Sequence, residues 1–317
     1  MAASEAAPAG EPWPAVEPVS VGGVPPAGVP AQAAASQLAA YVELCKPKVT
    51  RLVLVTTFLG AVAAPGPIDW VPGFGALVGT AAVVAGANAL NMMLEKDSDA
   101  LMARTRTRPL PTGRLSSDAA LTFGMLMSLG GLAILASFTT ALSAFIAALA
   151  LVSYVLVYTP LKRISSLSLL VGAVPGALPP AIGYAALTGT LDGLGLWLFL
   201  ILFVWQVPHF LAISIFRREE YARAGLRVLP IECGVPFARV TALGMSLVLL
   251  LTSLMPALMG HSSMAYGLVA LVTGVAFVVL AARDLGQSSA DRSARTLFFA
   301  SIPHLVILFG MLAVGAP

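Results

Sequence analysis

Long apolar segments alternate with short polar ones along most of the chain. A helix needs about 20 predominantly apolar residues to cross the hydrocarbon core of a bilayer. By this measure the pattern predicts membrane spans near 48–64, 71–94, 118–137, 140–158, 166–187, 193–215, 238–257, 264–282 and 296–315. Short breaks such as Gly189-Thr190 separate neighbouring spans. The expected fold is therefore all-α, a polytopic membrane protein of about nine transmembrane helices.

Residues 1–37 differ from the rest of the chain. They are rich in Pro, Ala and Gly, and they contain three Glu but no Lys or Arg. A secretory signal needs a basic start and an unbroken apolar core, and neither is present. Such a segment buries too little surface to offset its conformational entropy, so we predict a disordered extension. The transmembrane domain is then residues 38–317. An N-terminal extension without a function of its own is favoured over a regulatory tail.

The composition agrees with a membrane protein and excludes an ordinary soluble one. Of the 317 residues, 58% are hydrophobic and only 10% are charged, whereas a soluble domain has about 25% charged residues. The net charge of +3 is small and gives no indication of a nucleic acid partner. The expected surroundings are therefore the lipid bilayer, with no nucleic acid bound.

The 18 Lys and Arg residues are distributed unevenly between the predicted loops. They lie at the start of the first span and after the second, fourth, sixth and eighth, whereas the loops near 65–70, 138–139, 188–192 and 258–263 contain none. Positive residues in membrane proteins concentrate on the cytoplasmic side. The pattern predicts a multi-pass protein of a bacterial inner membrane, with a cytoplasmic N-terminus, an external C-terminus and cytoplasmic polar loops.

Several common kinds of site have no sequence support. Cys45 and Cys233 both fall on the predicted cytoplasmic side, and no CxxC or CxxCH occurs. A zinc site of that type and covalently attached c-type haem are therefore not indicated. The absence of a Walker motif and of a dinucleotide-binding GxGxxG argues against ATP-driven transport and against dinucleotide redox chemistry.

The loop after the second span carries a row of oxygen-bearing side chains. Asn91, Glu95 and Asp99 are spaced i, i+4, i+8, so on a helix they lie along one face. Mg²⁺ is commonly held by one or two carboxylates, with waters and substrate phosphate oxygens completing its octahedron. We interpret the three as a magnesium site.

Three arginines follow at two-residue spacing, namely Arg104, Arg106 and Arg108. The planar guanidinium forms bidentate hydrogen bonds with phosphate, so the loop as a whole predicts a diphosphate site. The alternative is a solvated helix end whose basic residues only set topology. That alternative does not explain the carboxylates and the asparagine that continue into an apolar helix, where polar groups are costly.

The end of the sixth span is a second polar region. His209 lies about two turns inside the membrane boundary, and Pro208 is expected to kink the helix there. Just beyond the span lie Arg217, Arg218, Glu219, Glu220 and Tyr221. The two polar regions can face each other across one cavity. The alternative is a charged helix end without further function.

Three weaker signals leave their alternatives open. Lys162 and Arg163 follow the fourth span, and a diphosphate contact explains them as well as topology does. His304, beside Pro303 in the last span, is a candidate iron ligand, although a hydrogen bond within the bundle is favoured. The small residues and prolines of 171–180 suit either the wall of a bulky-substrate cavity or tight packing.

At these residues the sequence resembles the UbiA superfamily of intramembrane prenyltransferases, whose NxxxDxxxD signature is matched by Asn91, Glu95 and Asp99. Within it the chain is similar to the haem O synthase (protohaem IX farnesyltransferase) family. The passages that carry this likeness are Lys46–Thr50, Arg104–Pro109, Tyr158–Arg163, Trp205–Phe210 and Tyr221–Pro230. Glu95 stands where the superfamily usually has Asp, and Glu220 where relatives often have Asp. The segment His209–Tyr221 replaces the second Asp-rich motif.

The resemblance implies a lipid-open cavity capped by the two polar loops. The reaction would transfer a farnesyl group from farnesyl diphosphate to the 2-vinyl group of haem b, with addition of water, giving haem o. Haem A synthase and terminal oxidase assembly proteins are candidate partners.

The implied site residues fall into three groups. The implied Mg²⁺ ligands are Asn91, Glu95, Asp99 and Glu220. The implied catalytic residues are Asn91, Glu95, Asp99 and His209. The implied diphosphate contacts are Arg104, Arg106, Arg108, Lys162, Arg163, Arg217 and Arg218. The implied haem contacts are Trp205, His209, Tyr221 and His304.

Two other functions are alternatives. A related prenyltransferase with an aromatic acceptor, such as a quinone precursor, is disfavoured by the segment Trp205–Phe210. A secondary transporter would explain many helices without any chemistry. Transporters, however, tend to place ionisable residues near the bilayer midplane, whereas the charges here gather at one membrane face.

Overall fold

The computed structural model describes residues 30–285 and 290–315, and these ranges are helical with no strand among them. The helices are α1 Pro30–Leu44, α2 Pro47–Val62, α3 Trp70–Leu94, α4 Lys96–Ala100, α5 Ser117–Phe138, α6 Ala141–Val152, α7 Thr159–Leu161, α8 Ser168–Thr188, α9 Gly193–Phe216, α10 Arg218–Arg223, α11 Leu229–Glu232, α12 Gly234–Leu258, α13 Met264–Leu285 and α14 Ala290–Gly315. A π-helical turn, Ser153–Tyr158, joins α6 to α7. The prediction of an all-α protein is confirmed.

Eight helical segments in the described ranges are long and apolar enough to cross a membrane. They are Trp70–Leu94, Ser117–Phe138, Ala141–Leu161, Ser168–Thr188, Gly193–Phe216, Gly234–Leu258, Met264–Arg283 and Asp291–Val314. They match the last eight predicted spans closely. The first predicted span is α2, whose 16 residues extend over only about 24 Å. Because this is shorter than the roughly 30 Å hydrocarbon core, α2 does not meet the length criterion.

The predicted N-terminal extension lies outside the described residues as far as position 29. Helix α1 begins at Pro30, so residues 30–37 are helical rather than irregular. Further along α1, Ala40 and Leu44 are fully buried in a small core with Ala89 and Met92 of α3. The N-terminal helix is therefore attached to the end of α3, where the first polar loop begins.

Small residues let the helices at the centre of the bundle approach each other closely. Helices α2 and α8 pack against each other, and a Cβ added at Gly183 would lie 1.9 Å from the carbonyl oxygen of Thr57. One added at Gly60 would lie 2.1 Å from the carbonyl oxygen of Pro180. The small and proline-rich segment of α8 thus serves tight packing, one of the two alternatives that the sequence left open.

Replacing Gly183 with alanine is expected to lower the thermal unfolding midpoint of the detergent-solubilised protein. The added methyl group must push α2 and α8 apart, and overpacking of this kind costs about 1–3 kcal/mol. Gly130 is the matched control, because it also lies within a long helix but a Cβ added there meets nothing within 4 Å. Equal midpoints for the G183A and G130A proteins would contradict the close approach.

The polar segments that connect the helices meet at one end of the bundle. Lys162, after α7, contacts Glu95 at the end of α3, and its carbonyl accepts a hydrogen bond of 3.0 Å from the N–H of Arg227 after α10. Arg218 of α10 in turn forms an ion pair with Asp291 at the start of α14. The loops after three spans and the start of the last helix therefore form one continuous polar surface.

Candidate active site

Asn91 is fully buried near the C-terminal end of α3, and both ends of its amide are bound. Its Oδ1 accepts a hydrogen bond of 2.7 Å from Nζ of Lys46. Its Nδ2 donates a hydrogen bond of 3.0 Å to Oγ1 of Thr159. The hydroxyl of Thr159 in turn donates to the carbonyl of Tyr154, inside the π-helical turn. These contacts hold the side-chain oxygen of Asn91 against the amino group of Lys46.

The three predicted magnesium ligands do not lie on one uninterrupted helix. Helix α3 ends at Leu94, and α4 starts two residues later at Lys96. The helical hydrogen bonds nevertheless continue across the break, because the N–H of Glu95 donates to the carbonyl of Asn91 and the N–H of Asp99 donates to that of Glu95. The i, i+4, i+8 spacing is therefore preserved although the helix axis is interrupted.

Both carboxylates of this row are paired with basic side chains. Oε1 of Glu95 lies 2.7 Å from Nζ of Lys162, and Oδ2 of Asp99 lies 2.6 Å from Nη1 of Arg108. The carboxylate side chains are only 14% and 6% exposed, respectively. Ion pairs this well shielded are screened far less than surface pairs. Each of the three predicted ligands therefore directs an oxygen atom at a cation.

The electrostatics of these cations follow from their burial. Burial and the nearby charge of Arg108 lower the pKa of Lys46 to about 7. For Lys162 burial also acts against the charge, but Tyr158 and Glu95 outweigh it and raise the pKa above its ordinary value. The ammonium group of Lys162 also lies 4.4 Å from the centroid of the Tyr158 ring. Lys162 is thus a permanent positive charge at the site.

The other basic residues predicted to bind diphosphate lie nearer to solvent. Arg104, Arg106 and Arg163 are exposed. Arg163 donates a hydrogen bond of 3.2 Å to Oγ of Ser98. Their side chains lie at the rim of the polar surface, whereas Arg108 is more buried. Their assignment to diphosphate binding stays a prediction.

Tyr221 lies where the two polar regions meet. Burial raises the pKa of its hydroxyl, whereas the charges of Arg104, Lys162 and Arg217 act in the opposite direction. These charges belong to the loops after α3, α7 and α9, respectively. The expectation that the two polar regions face each other therefore agrees with the structure. The predicted haem contact of Tyr221 is not tested by this placement.

Three residues assigned above to metal or diphosphate belong to a separate polar pocket. The pocket has a volume of about 130 Å³ and is lined by Phe216, Arg217, Arg218, Glu219, Glu220, Arg223 and Asp291. Glu220 pairs with Arg217 at 3.1 Å. In residues 30–285 and 290–315, no group of three His, Cys, Asp or Glu side chains could hold a metal ion. Glu220 as a fourth metal ligand stays a prediction.

His209 lies inside α9 among aromatic side chains. The centroid of its ring is 4.5 Å from that of Trp205 and 4.7 Å from that of Phe298 of α14. Its Nδ1 is 2.7 Å from Oγ of Ser301. Trp205 is itself buried and donates from Nε1 to the carbonyl of Ser301. The imidazole is therefore held by two rings and one hydroxyl, and α9 continues past Pro208 to Phe216.

His304 lies one turn beyond Ser301 and is buried as well. Its ring is parallel to that of Phe277, with the centroids 5.2 Å apart. Neither ring nitrogen has a hydrogen-bond partner in the described parts of the chain. The favoured interpretation, a hydrogen bond within the bundle, therefore finds no support. A contact between His304 and haem stays a prediction.

Sequence reasoning missed four residues that the structure places at these two sites, namely Lys46, Thr159, Phe298 and Ser301. In the sequence Lys46 belonged to a basic cluster and to a passage that carries the family resemblance, but neither indicated a contact with Asn91. Ser301 did carry a signal, because a polar side chain in a span is costly and usually has a partner. Nothing in the local pattern identified that partner.

The helical bundle and its polar site define a class of membrane protein that comparison with known sequences identifies. The profile of the UbiA prenyltransferase family matches residues 53–302. The chain therefore belongs to the UbiA prenyltransferase family.

Two relatives indicate the branch of that family. The chain is 48% identical to a protein from Sorangium cellulosum (strain So ce56), over 76% of this chain and 86% of the relative. It is 45% identical to a protein from Anaeromyxobacter sp. (strain Fw109-5), over 86% of this chain and 92% of the relative. Both relatives bear the name protoheme IX farnesyltransferase.

Solved structures share the fold at low sequence identity. A digeranylgeranylglyceryl phosphate synthase superposes with a TM-score of 0.76 at 18% identity, covering 88% of this chain and 98% of the other. A UbiA homologue from Archaeoglobus fulgidus, bound to DMAPP and Mg²⁺, superposes with a TM-score of 0.66 at 16% identity, covering 86% and 99%. At these identities the likeness concerns the fold alone.

Proposed function

We propose that this protein transfers a farnesyl group from farnesyl diphosphate to the 2-vinyl group of haem b, with addition of water, to give haem o and diphosphate. The observation that carries the proposal is the identity of 45–48%, over 76–86% of the chain, to relatives named protoheme IX farnesyltransferase. The geometry supports it, because one polar site suits a diphosphate and a separate aromatic site suits a flat acceptor.

The end of α3 fits a hard divalent cation. Asn91, Glu95 and Asp99 offer only oxygen atoms at successive helical turns, which is the ligand type that Mg²⁺ prefers. The structure of the Archaeoglobus fulgidus homologue with DMAPP and Mg²⁺ makes magnesium the natural candidate. When bound, the metal would neutralise negative charge on the diphosphate.

The basic side chains at this site stabilise the leaving group. Lys46, Lys162 and Arg108 already lie against the oxygen atoms of the α3 row, so short side-chain movements bring them onto phosphate oxygens. In the first step the bond between C1 of the farnesyl group and the diphosphate oxygen breaks, and both electrons leave with the oxygen. The developing charge is then met by prearranged cations, which is usually the largest contribution to catalysis.

The allylic cation left behind is attacked by the vinyl group of haem b, which forms the new carbon–carbon bond. The positive charge moves to the carbon next to the porphyrin ring, where water adds and releases one proton. The aromatic rings of Trp205, His209 and Phe298 form a cluster that suits contact with a porphyrin.

The aromatic surface ends at two arginines. Phe298 contacts Phe216 with a centroid distance of 5.8 Å. The guanidinium carbons of Arg217 and Arg295 lie 5.8 and 5.2 Å from the centroid of Phe216. Haem b has an apolar ring with two carboxylates on one edge, so we assign its propionates to this end. Arg217 is then better placed for the acceptor than for diphosphate.

Expression in cells that make haem b but no haem o tests the proposal directly. Pigments extracted from the membranes and analysed by mass spectrometry are expected to contain haem o. A parallel culture expressing the Asp99→Asn protein is expected to contain haem b alone. Haem b alone in both cultures, with wild-type protein present in the membranes, would refute the assignment. Prenylated 4-hydroxybenzoate in the wild-type membranes would favour the aromatic-acceptor alternative instead.

The protein is a multi-pass membrane protein, and we propose that the polar surface faces the cytoplasm of a bacterial inner membrane. Cysteines placed at the exposed positions Thr190 and Ser263, which lie in loops without Lys or Arg, are expected to react with impermeant maleimides in intact cells. A cysteine at exposed Ser116 is expected to react only after the cells are lysed. Cys45 and Cys233 are replaced by serine beforehand. Labelling of position 116 in intact cells would reverse the orientation.

A further inference from the structure

The hydroxyl of Ser301 has two partners, and this determines which nitrogen of His209 carries a hydrogen. Oγ of Ser301 donates a hydrogen bond of 2.6 Å to the carbonyl of Phe298. A serine hydroxyl has one hydrogen and two lone pairs, so toward Nδ1 of His209, at 2.7 Å, it can only accept. Nδ1 therefore carries the hydrogen, and in the neutral ring Nε2 keeps its lone pair.

This tautomer limits the contacts that His209 can make with haem b. A neutral ring with a free lone pair on Nε2 can bind a metal ion or accept a proton, but Nε2 cannot donate a hydrogen bond to a carboxylate. Of the two roles open to His209, iron ligation and contact with a propionate, this tautomer favours the first. Metal-binding histidines usually donate their other ring N–H to a fixed acceptor, which orients the ring and increases its basicity.

We propose that Ser301 is a positioning residue, which holds His209 in the Nδ1–H tautomer so that Nε2 ligates the iron of the haem acceptor. The proposal rests on the function proposed above. Three further contacts support a rigid ligand. Trp205 and Phe298 lie against the imidazole, and the carbonyl of Ser301 accepts the Nε1–H of Trp205 at 2.8 Å. Ser301 itself is fully buried, so water does not compete for its hydroxyl.

The nearby His304 fits this role less well. It lies on the same helix as Ser301, but no side chain in the described ranges bonds to either of its nitrogens. Its ring stacks on Phe277 and is 4% exposed, whereas His209 is only partly buried. A haem could reach His209 with less rearrangement.

The test uses the purified full-length protein, titrated with haem b in the absence of farnesyl diphosphate. The reduced complex is examined by resonance Raman spectroscopy for the iron–histidine stretching band. Wild type is expected to show this band, and His209→Ala to lose it. Ser301→Ala is expected to bind haem b at least about tenfold more weakly, in line with the usual effect of losing such a partner. Its band should move to lower frequency, because the imidazole loses electron density when Nδ1–H loses its acceptor.

Two further variants make the result specific. Ser301→Thr keeps a hydroxyl and is expected to restore both the affinity and the band. Ser301→Cys keeps the volume but accepts weakly, so it is expected to behave like Ser301→Ala even if the alanine protein does not accumulate. Ser246→Ala is the control, because Ser246 is buried in α12 and its hydroxyl donates to the carbonyl of Ala242 on its own helix. It should leave haem binding unchanged.

Two outcomes would overturn the inference: a band that persists in His209→Ala, or one that is unchanged in both Ser301→Ala and Ser301→Cys. Neither depends on catalysis, since no farnesyl donor is present. A protein that shows these spectra but makes no haem o would refute the proposed function and leave the ligand assignment intact. A protein that makes haem o with a band independent of His209 would do the reverse.

Discussion

The Glu95→Gln and Asp99→Asn proteins are expected to transfer farnesyl at less than about one hundredth of the wild-type rate. Each change removes a charge from the row of oxygen atoms at the end of α3 and also breaks a shielded ion pair, with Lys162 and Arg108, respectively. Loss of one preorganised electrostatic group commonly costs a factor of about 10²–10³ in rate. The measurement is haem o formation by membranes supplied with farnesyl diphosphate, haem b and Mg²⁺.

Asp97→Asn provides the matched control for this pair. Asp97 is also in α4, but its side chain is exposed, and we expect near-normal activity from the variant. Haem b binding and the thermal unfolding midpoint are measured for all three variants, so that misfolding is separated from loss of chemistry. Near-normal haem o formation by both Glu95→Gln and Asp99→Asn would remove the basis for the magnesium assignment.

His209→Ala is expected to weaken haem b binding strongly while affecting farnesyl diphosphate binding little. The change removes the ring that lies between Trp205 and Phe298 in the proposed acceptor site, together with the nitrogen that we propose as an iron ligand. Asp99→Asn should show the opposite selectivity, because Asp99 lies at the proposed diphosphate site. Haem binding is followed by the Soret band of the purified protein, and donor binding by displacement of labelled farnesyl diphosphate.

His304→Ala serves as the comparison for His209→Ala, because His304 is the other histidine near the acceptor site. We expect a smaller effect on the Soret titration from this variant. If His304→Ala loses haem binding and His209→Ala keeps it, the roles of the two histidines must be exchanged. Equal loss of haem and donor binding in His209→Ala would indicate a structural role for the residue.

Those parts of the molecule that depend on local physics could be predicted from the sequence. A bilayer requires a minimum length of every apolar segment that crosses it, so the sequence locates eight spans to within a few residues. The largest differences are at the starts of the seventh and ninth predicted spans, which begin four to five residues earlier in the structure. The spacing of Asn91, Glu95 and Asp99 is likewise local, and the backbone hydrogen bonds confirm it. The break in the helix after Leu94 was not predicted.

The partners of the site residues could not be predicted, because they are distant in sequence. Asn91 binds Lys46 from 45 residues away, Glu95 binds Lys162 from 67 residues away, and His209 binds Ser301 from 92 residues away. Periodicity and motif spacing report which face of a helix a residue occupies, but not which other helix that face meets.

The same limitation applies to the second polar region. Arg217, Arg218 and Glu220 look from the sequence like a second diphosphate or metal station. In the structure Arg217 pairs with Glu220, and Arg218 pairs with Asp291 from the start of α14. A charged residue in a loop can be assigned to a site only when its counter-ion is known.

The basic side chains that contact the oxygen atoms at the end of α3 would also couple the binding of the metal ion to the binding of the diphosphate. A metal ion that binds alone would displace Lys162 and Arg108 from their carboxylates and leave them without counter-ions in a shielded site. It would also displace Lys46 from the amide oxygen of Asn91. A diphosphate that arrives with the metal accepts those same cations, so the displacement is compensated. We therefore expect metal and diphosphate to bind cooperatively, and by reciprocity each would raise the affinity for the other by the same factor. When diphosphate departs as a product, the metal would lose that support, and the carboxylates would recover their original partners.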